Sequence, residues 1–137
     1  MIVADTNIIS YLLLPTTYSD SADRLYKKDP DWAAPTLWKS EFRNVLALYL
    51  RKNIITLEKA LQFQETAESL MVQNEFDIAS SSILTLVDNS NCSSYDCEFV
   101  ALANHLNTQL VTQDKKILRE FPLTAISISN FLEQQHY

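Results

Sequence analysis

Short apolar runs alternate with helical patterns along this chain, and that alternation restricts the fold more tightly than any other feature of the sequence. Residues 2–4 (IVA) read as a short buried strand, followed over 8–14 by a short helix that Pro15 stops. Ser19 or Asp20 is placed to cap a helix running to about Lys28. Residues 32–34 (WAA) form a second strand, closed by Pro35. Thr36 then starts a long helix, TLWKSEFRNVLALYLRK, with Leu37, Trp38, Phe42, Val45, Leu46 and Tyr49 at helical spacing. Thr56 opens another, TLEKALQFQETAESLMVQ. Beyond it come a strand over 76–79, a helix over 80–88, and a helix SYDCEFVALANHL capped by Ser93 or Ser94. A strand over 109–112, a short helix over 115–120, a strand over 125–128 and a terminal helix capped by Ser129 complete the chain. Short apolar strands alternating with helices belong to a parallel sheet covered on both faces. The expected class is α/β, with roughly five parallel strands between helices in a single domain over 1–137. In such sheets the active site lies beyond the carboxyl ends of the strands, where the helix N-termini also point.

Composition supports a packed core, since 47% of the 137 residues are hydrophobic and 20% are charged. No apolar run approaches the roughly 18 residues of a membrane span. The opening MIVADT lacks the basic and long apolar segments of a signal peptide, so a soluble cytoplasmic protein without membrane contact is expected. In that compartment Cys92 and Cys97 read as free thiols. No Cys/His cluster forms a zinc pattern, and neither His105 nor His136 reads as a ligand. Glycine is absent altogether, which excludes a P-loop and a dinucleotide-binding fingerprint. The net charge of −6 argues against broad coating of nucleic acid, while leaving room for a local basic rim or a basic protein partner.

Four carboxylates stand in awkward places. Asp5 closes the first strand and Asp114 follows the strand in LVTQD, so both fall at the carboxyl edge of the sheet. Asp96 lies in the first turn of its helix, where the helix dipole favours an acid by about 0.3–1 kcal/mol. Yet Phe99, Val100 and Ala103 share its face, which directs it toward the core. Glu41 stands in an apolar stripe with Leu37, Trp38, Val45 and Leu48. A buried charge costs several kcal/mol unless it is paired, neutralised or bound to a metal. Each acid has an ordinary alternative. Asp5 can form an Asx-turn or cap a helix, and Asp96 can be a plain first-turn acid. Asp114 can cap the helix from Lys115, and Glu41 can pair with an arginine. All four alternatives would have to hold together. Carboxylates that cluster without internal cations repel one another, and the usual resolution is a hard divalent ion with oxygen ligands, Mg²⁺ or Mn²⁺. Such an ion activates water and stabilises in-line displacement at phosphorus.

The pieces VADTNIIS, SEFRNVLA, SSYDCEFVALANHL and LVTQDKKIL, in this order and at these separations, resemble the PIN-domain ribonucleases, most closely the VapC-type toxins of toxin–antitoxin pairs. The resemblance implies a PIN-like three-layer fold, about five parallel strands between helices. It also implies that Asp5, Glu41, Asp96 and Asp114 form an acidic site for one or two Mg²⁺ or Mn²⁺ ions. Asn7 and Thr112 match positions that are often polar there and would orient a carboxylate or a water on the metal. Members of the family typically cleave single-stranded or looped RNA. Many relatives carry a further acid in a pattern like D-x-D-F, where this chain has Asp114, Lys115, Lys116 and Ile117. That departure leaves the family pattern one ligand short for a second ion, and it makes the two lysines either substrate-phosphate contacts or ordinary solvated surface.

The resulting expectation is a metal-dependent endoribonuclease acting on RNA, leaving a 5′-phosphate and a 3′-hydroxyl. Lys39, Arg43, Lys115 and Lys116 are its candidates for phosphate contact. The expected protein partner is an antitoxin whose tail blocks the acidic cleft, for which an arginine is geometrically suited. A homodimer follows from the resemblance alone, and Trp32, Trp38 and Tyr49 serve equally well as core. Three rival readings stand beside this one. An Asp-nucleophile phosphatase would need a second acid two residues after Asp5, where Asn7 stands. A PIN-like scaffold would bind RNA or protein without cutting, and a stand-alone nuclease of RNA maturation or decay would lack only the antitoxin.

Overall fold

The computed structural model describes residues 1–134 of the chain; His136 lies outside the described residues. Five parallel strands, β1 (Ile2–Ala4), β2 (Trp32–Pro35), β3 (Glu75–Phe76), β4 (Leu110–Val111) and β5 (Ala125–Ile126), form one sheet in the order β3-β2-β1-β4-β5. In register, Val3 sits between Ala33 and Leu110. Among the described residues eight helices flank the sheet: α1 (Thr6–Leu13), α2 (Ser19–Lys28), α3 (Leu37–Arg51), α4 (Leu57–Met71), α5 (Ser80–Asp88), α6 (Ser94–His105), α7 (Lys115–Glu120) and α8 (Ile128–Glu133). Helix α1 packs on α2 and α3, α3 on α4, and α2 on α8. Helix α5 packs on α6, which in turn lies against β1, β2 and β4. Strands β1 and β4 and most of β2 are buried to within a few per cent, as expected of a sheet with helices on both faces. No helix is long and apolar enough to cross a membrane among the described residues.

The topology fixes where a site can form. The chain steps from β1 outward through β2 to β3, then returns to the other side of β1 for β4 and β5. The reversal point therefore lies between β1 and β4, and a crevice opens beyond the carboxyl ends of strands at such a point. Asp5 follows β1 directly, and Thr112 and Asp114 follow β4.

The ends of several elements differ from the sequence expectation for local reasons. Helix α1 begins at Thr6, not Ile8, because the Asp5 carboxylate accepts from the Thr6 N–H at 2.8 Å and caps it. Neither Ser19 nor Asp20 caps α2; both lie inside it, and the Ser19 hydroxyl donates to the Leu14 carbonyl. Thr36 stands before α3 without a capping bond, its hydroxyl given to Asp77. The third strand is Glu75–Phe76, earlier than 76–79, and the strands expected over 109–112 and 125–128 shorten to two residues each. Ser127, not Ser129, caps α8 by accepting from the Asn130 N–H.

Without glycine, the chain uses asparagine where a helix must end in a left-handed residue. Asn53 (φ 57°) and Asn107 (φ 52°) stand just past α3 and α6. In both places the next amide reaches back to a carbonyl near the helix end, Ile54 to Tyr49 and Thr108 to Ala103, each closing a Schellman turn. Trp32 and Trp38 are core residues, 2% and 0% exposed, and Tyr49 packs partly buried against that core.

Candidate active site

A cleft of about 500 Å³ opens at the carboxyl edge of the sheet. Asp5, Glu41, Asp96 and Asp114 all line it, delivered by four different segments. Asp5 comes from the end of β1, Glu41 from the middle of α3, Asp96 from the first turn of α6, and Asp114 from the loop between β4 and α7.

Each acid is held by its surroundings in a different way. Asp5 is 8% exposed. Its Oδ1 accepts from the Thr6 N–H, and its Oδ2 accepts from the Thr112 hydroxyl at 2.7 Å. Thr112 is fully buried, and its oxygen also accepts from the Asp114 N–H at 3.0 Å and from the Asn7 amide at 3.5 Å. One hydroxyl thus ties the ends of β1 and β4 together. Glu41 is half-buried, and its Oε1 accepts from the Thr6 hydroxyl at 2.7 Å. Asp114 caps α7 through Oδ1 alone, accepting from the N–H groups of Lys116 and Ile117. Asp96 is half-buried in the first turn of α6, whose N-cap Ser93 accepts from the Asp96 N–H at 3.1 Å.

Burial dominates the electrostatics. It pushes the Asp5 carboxyl up from 3.8 to about 7, against the hydrogen bonds from Thr112 and Thr6 and with added repulsion from Glu41 and Asp96. Glu41 is raised by burial and then by Asp96 and Glu98, and Asp96 by burial and then by Asp114. Asp5, Glu41 and Asp96 are thus each raised by burial and by a neighbouring acid, and none of the four acids is in an ion pair among the described residues. Behind them Cys92 and Cys97 are buried free thiols, and burial followed by the charge of Asp96 pushes Cys92 up to about 11.

The ordinary capping roles of Asp5 and Asp114 are thus present alongside their place in the cleft. Glu41 departs from expectation. The core face of α3 is Trp38, Phe42 and Leu46, whereas Leu37 and Val45 line the cleft with Glu41, and Leu48 is 48% exposed. Its apolar stripe is a cleft wall, not the core. Of the four expected cations, Lys39 is drawn elsewhere, its ammonium 3.7 Å from Glu75 and 4.0 Å from Glu68. Arg43 reaches the rim, donating to the hydroxyl of Ser40, a cleft residue. Lys116 is exposed on α7 and close enough to lower the Asp96 carboxyl, while Lys115 is exposed on the same turn. Sequence reasoning missed Thr6, Ser40, Asn44 and Tyr95, all in the cleft. Thr6 stands inside VADTN and Tyr95 immediately before Asp96, so adjacency to the acids was the available signal.

The donor set suits a hard divalent ion by chemistry: carboxylate oxygens, one buried and three half-buried, without cations paired to them among the described residues. Asn7 adds to this, since its Oδ1 is buried in the cleft without a hydrogen-bond partner among the described residues. As placed, no three of the acids stand close enough together to hold an ion between them among the described residues, so binding would draw them inward.

The PIN domain family matches residues 2–122. No curated protein matches the chain. Among solved structures, PAE2754 from Pyrobaculum aerophilum superposes with a TM-score of 0.76 at 19% identity, over 96% of this chain and 85% of that one. FitAcB from Neisseria gonorrhoeae gives 0.73 at 17% identity, over 94% and 99%. A toxin–antitoxin complex from Klebsiella pneumoniae gives 0.70 at 17% identity, over 93% and 98%. At these identities the likeness is one of fold.

Proposed function

The chain belongs to the PIN domain family, whose members are in general nucleases, and from that premise we propose that it is a metal-dependent endoribonuclease, the toxin of a toxin–antitoxin pair in the cytoplasm. The observation that carries this reading is the meeting of four carboxylates on one cleft, with no cation paired to any of them among the described residues. Asp5, Glu41, Asp96 and Asp114 would hold one or two Mg²⁺ or Mn²⁺ ions. When bound, such an ion lowers the pKa of a water and offsets the charge that builds on the phosphate oxygens.

The chain's own groups prepare that site. Thr112 and the Thr6 N–H fix both oxygens of Asp5, and a carboxylate oxygen so bonded retains a second lone pair for a ligand. Thr6 fixes Glu41 through one oxygen only, as the cap does for Asp114. Lys116 and Arg43 stand at the rim, where each can meet a phosphate. The products would be a 5′-phosphate and a 3′-hydroxyl. The toxin reading is supported by the fold shared with the Klebsiella pneumoniae toxin–antitoxin complex. It is supported also by the cleft itself, because uncompensated acids attract a basic residue and an arginine can bond a carboxylate in two places. A second copy of the chain is the other expected partner.

The test is cleavage of a mixed panel of structured RNAs with Mg²⁺ or Mn²⁺, by wild type beside folded Asp5→Asn and Asp96→Asn. Cleavage by wild type alone supports the acidic metal site. Copurification of a small basic protein then separates a toxin from a stand-alone nuclease. No cleavage and no divalent-ion binding by a folded wild type would leave a non-catalytic scaffold.

A further inference from the structure

Tyr95 is 59% exposed, yet it lines the acidic cleft, one residue before Asp96 at the start of α6. Other tyrosines of the fold are engaged: Tyr11 stacks with Tyr18, and Tyr26 meets Trp32 edge-on. Among the described residues the Tyr95 ring contacts no other ring and its hydroxyl has no hydrogen-bond partner. From α3 the same cleft receives two half-buried apolar side chains, Leu37 and Val45, and the exposed amide of Asn44. That amide too makes no hydrogen bond among the described residues. An acid site alone explains neither an unstacked aromatic ring nor an apolar wall.

The charge balance sharpens the point. Phosphate neutralisation by lysine and arginine ordinarily dominates nucleic-acid affinity, but this chain has 11 such residues against 17 acids and carries −6 overall. With so few cations at the rim, contacts to the bases add to the hold that Lys116, Arg43 and a bound ion would give a phosphate. We infer that Tyr95, with Leu37 and Val45 from α3, forms a slot for one unstacked nucleobase beside the four acids, and that Asn44 meets the edge of that base. An aromatic face accepts any base, so the slot selects for an accessible strand more than for a sequence. It requires a single-stranded or looped segment, because a base inside an intact duplex has both faces covered. The slot rests on the nuclease reading of the same cleft and names the side chains that would hold a base there.

The experiment is a binding cycle on uncut RNA. Asp5→Asn protein is titrated with a short mixed-sequence oligoribonucleotide carrying a fluorescent purine analogue, and again with a strand abasic at that position. Both titrations are repeated with Tyr95 changed to Ala and to Phe in the same background, after thermal melts show that each variant folds. Tyr95→Ala is expected to weaken binding by about 5- to 150-fold, the worth of one base–aromatic stack, and to abolish quenching of the analogue. Tyr95→Phe is expected to stay within about twofold, since the ring does the stacking. On the abasic strand the Tyr95→Ala loss is expected to vanish. Equal binding by Tyr95→Ala, an equal loss on the abasic strand, or no binding by the Asp5→Asn parent overturns the slot. Wild-type cleavage with divalent ions, measured separately, tests the nuclease reading, so either idea can fail alone.

Discussion

Asp5→Asn is expected to abolish cleavage and at the same time to make the metal-free protein more stable. The reasoning starts from burial. A carboxyl lifted from 3.8 to about 7 corresponds to about 4 kcal/mol of opposition to charge in the folded state. The sign follows from the protons. Between pH 3.8 and about 7 the folded chain retains a proton that the unfolded chain has released, so stability falls as pH rises through that window. Below it the contribution is fully present, and above it the contribution is gone. Asparagine removes the charge, but its amide cannot accept the Thr112 hydroxyl where Oδ2 did, a loss of about 1.5–3 kcal/mol for a bond to a charged group. The net gain at pH 8 in a chelating buffer is then about 1–3 kcal/mol, or a rise in Tm of several degrees for a chain of this size. At pH 5 wild-type Asp5 is mostly protonated in the folded state, so about 2–3 kcal/mol of that gain is withdrawn and the difference vanishes or reverses. Urea melts of both proteins at the two pH values, with chelator, read this directly. Adding Mn²⁺ at a hundred times its Kd should stabilise wild type by about 2.7 kcal/mol, and Asp5→Asn far less. A variant less stable than wild type at pH 8, or a difference that does not change with pH, would refute the claim that Asp5 is held charged against its environment.

The remaining predictions use the same contacts. Thr112→Val is expected to lower divalent-ion affinity or cleavage by about 10- to 100-fold, as loss of an orienting partner typically does, measured by calorimetry and by single-turnover cleavage. Because Asp5, Glu41 and Asp96 are all raised, protons compete with a divalent ion for them. Affinity should therefore rise from pH 5 to pH 8 with release of protons, seen as a heat of binding that depends on buffer ionisation. Asn53→Ala and Asn107→Ala should each destabilise by about 1–2 kcal/mol in thermal melts, because alanine pays the full left-handed penalty, whereas the glycine variants should match or exceed wild type.

Much of this arrangement was legible in the sequence because it depends on chain order. A short apolar strand ending in Asp5, and another ending just before Asp114, put two acids on one sheet edge as soon as the strands are parallel. What the sequence left open are matters of direction around a helix. On α3, Trp38, Phe42 and Leu46 make one apolar stripe and Leu37, Val45 and Leu48 another, barely a residue apart in phase. A spacing rule merges them, so Glu41 reads as buried in the core when it faces the cleft. Lys39 was similarly ambiguous: its neighbours along the chain are Trp38 and Ser40, but its charge goes to Glu68 and Glu75, fixed only once α4 and β3 are in place.

Thr6 shows why capping and site-building were hard to separate. A cap and a metal ligand both need an oxygen held near a helix N-terminus, so Asp5 and Asp114 satisfy one description without contradicting the other. The Thr6 side chain breaks that tie. Its hydroxyl is not used to cap α1; it crosses to Glu41, 35 residues on, while its amide holds Asp5. A helix start that needed only a cap would have no use for that second bond. Two acids tied through one threonine, with Thr112 holding the far oxygen of Asp5, form a constellation whose members repel one another yet are fixed in place. Such a set resists charge until something positive arrives, so its free energy falls most when a cation, whether a divalent ion or a partner's arginine, enters the cleft.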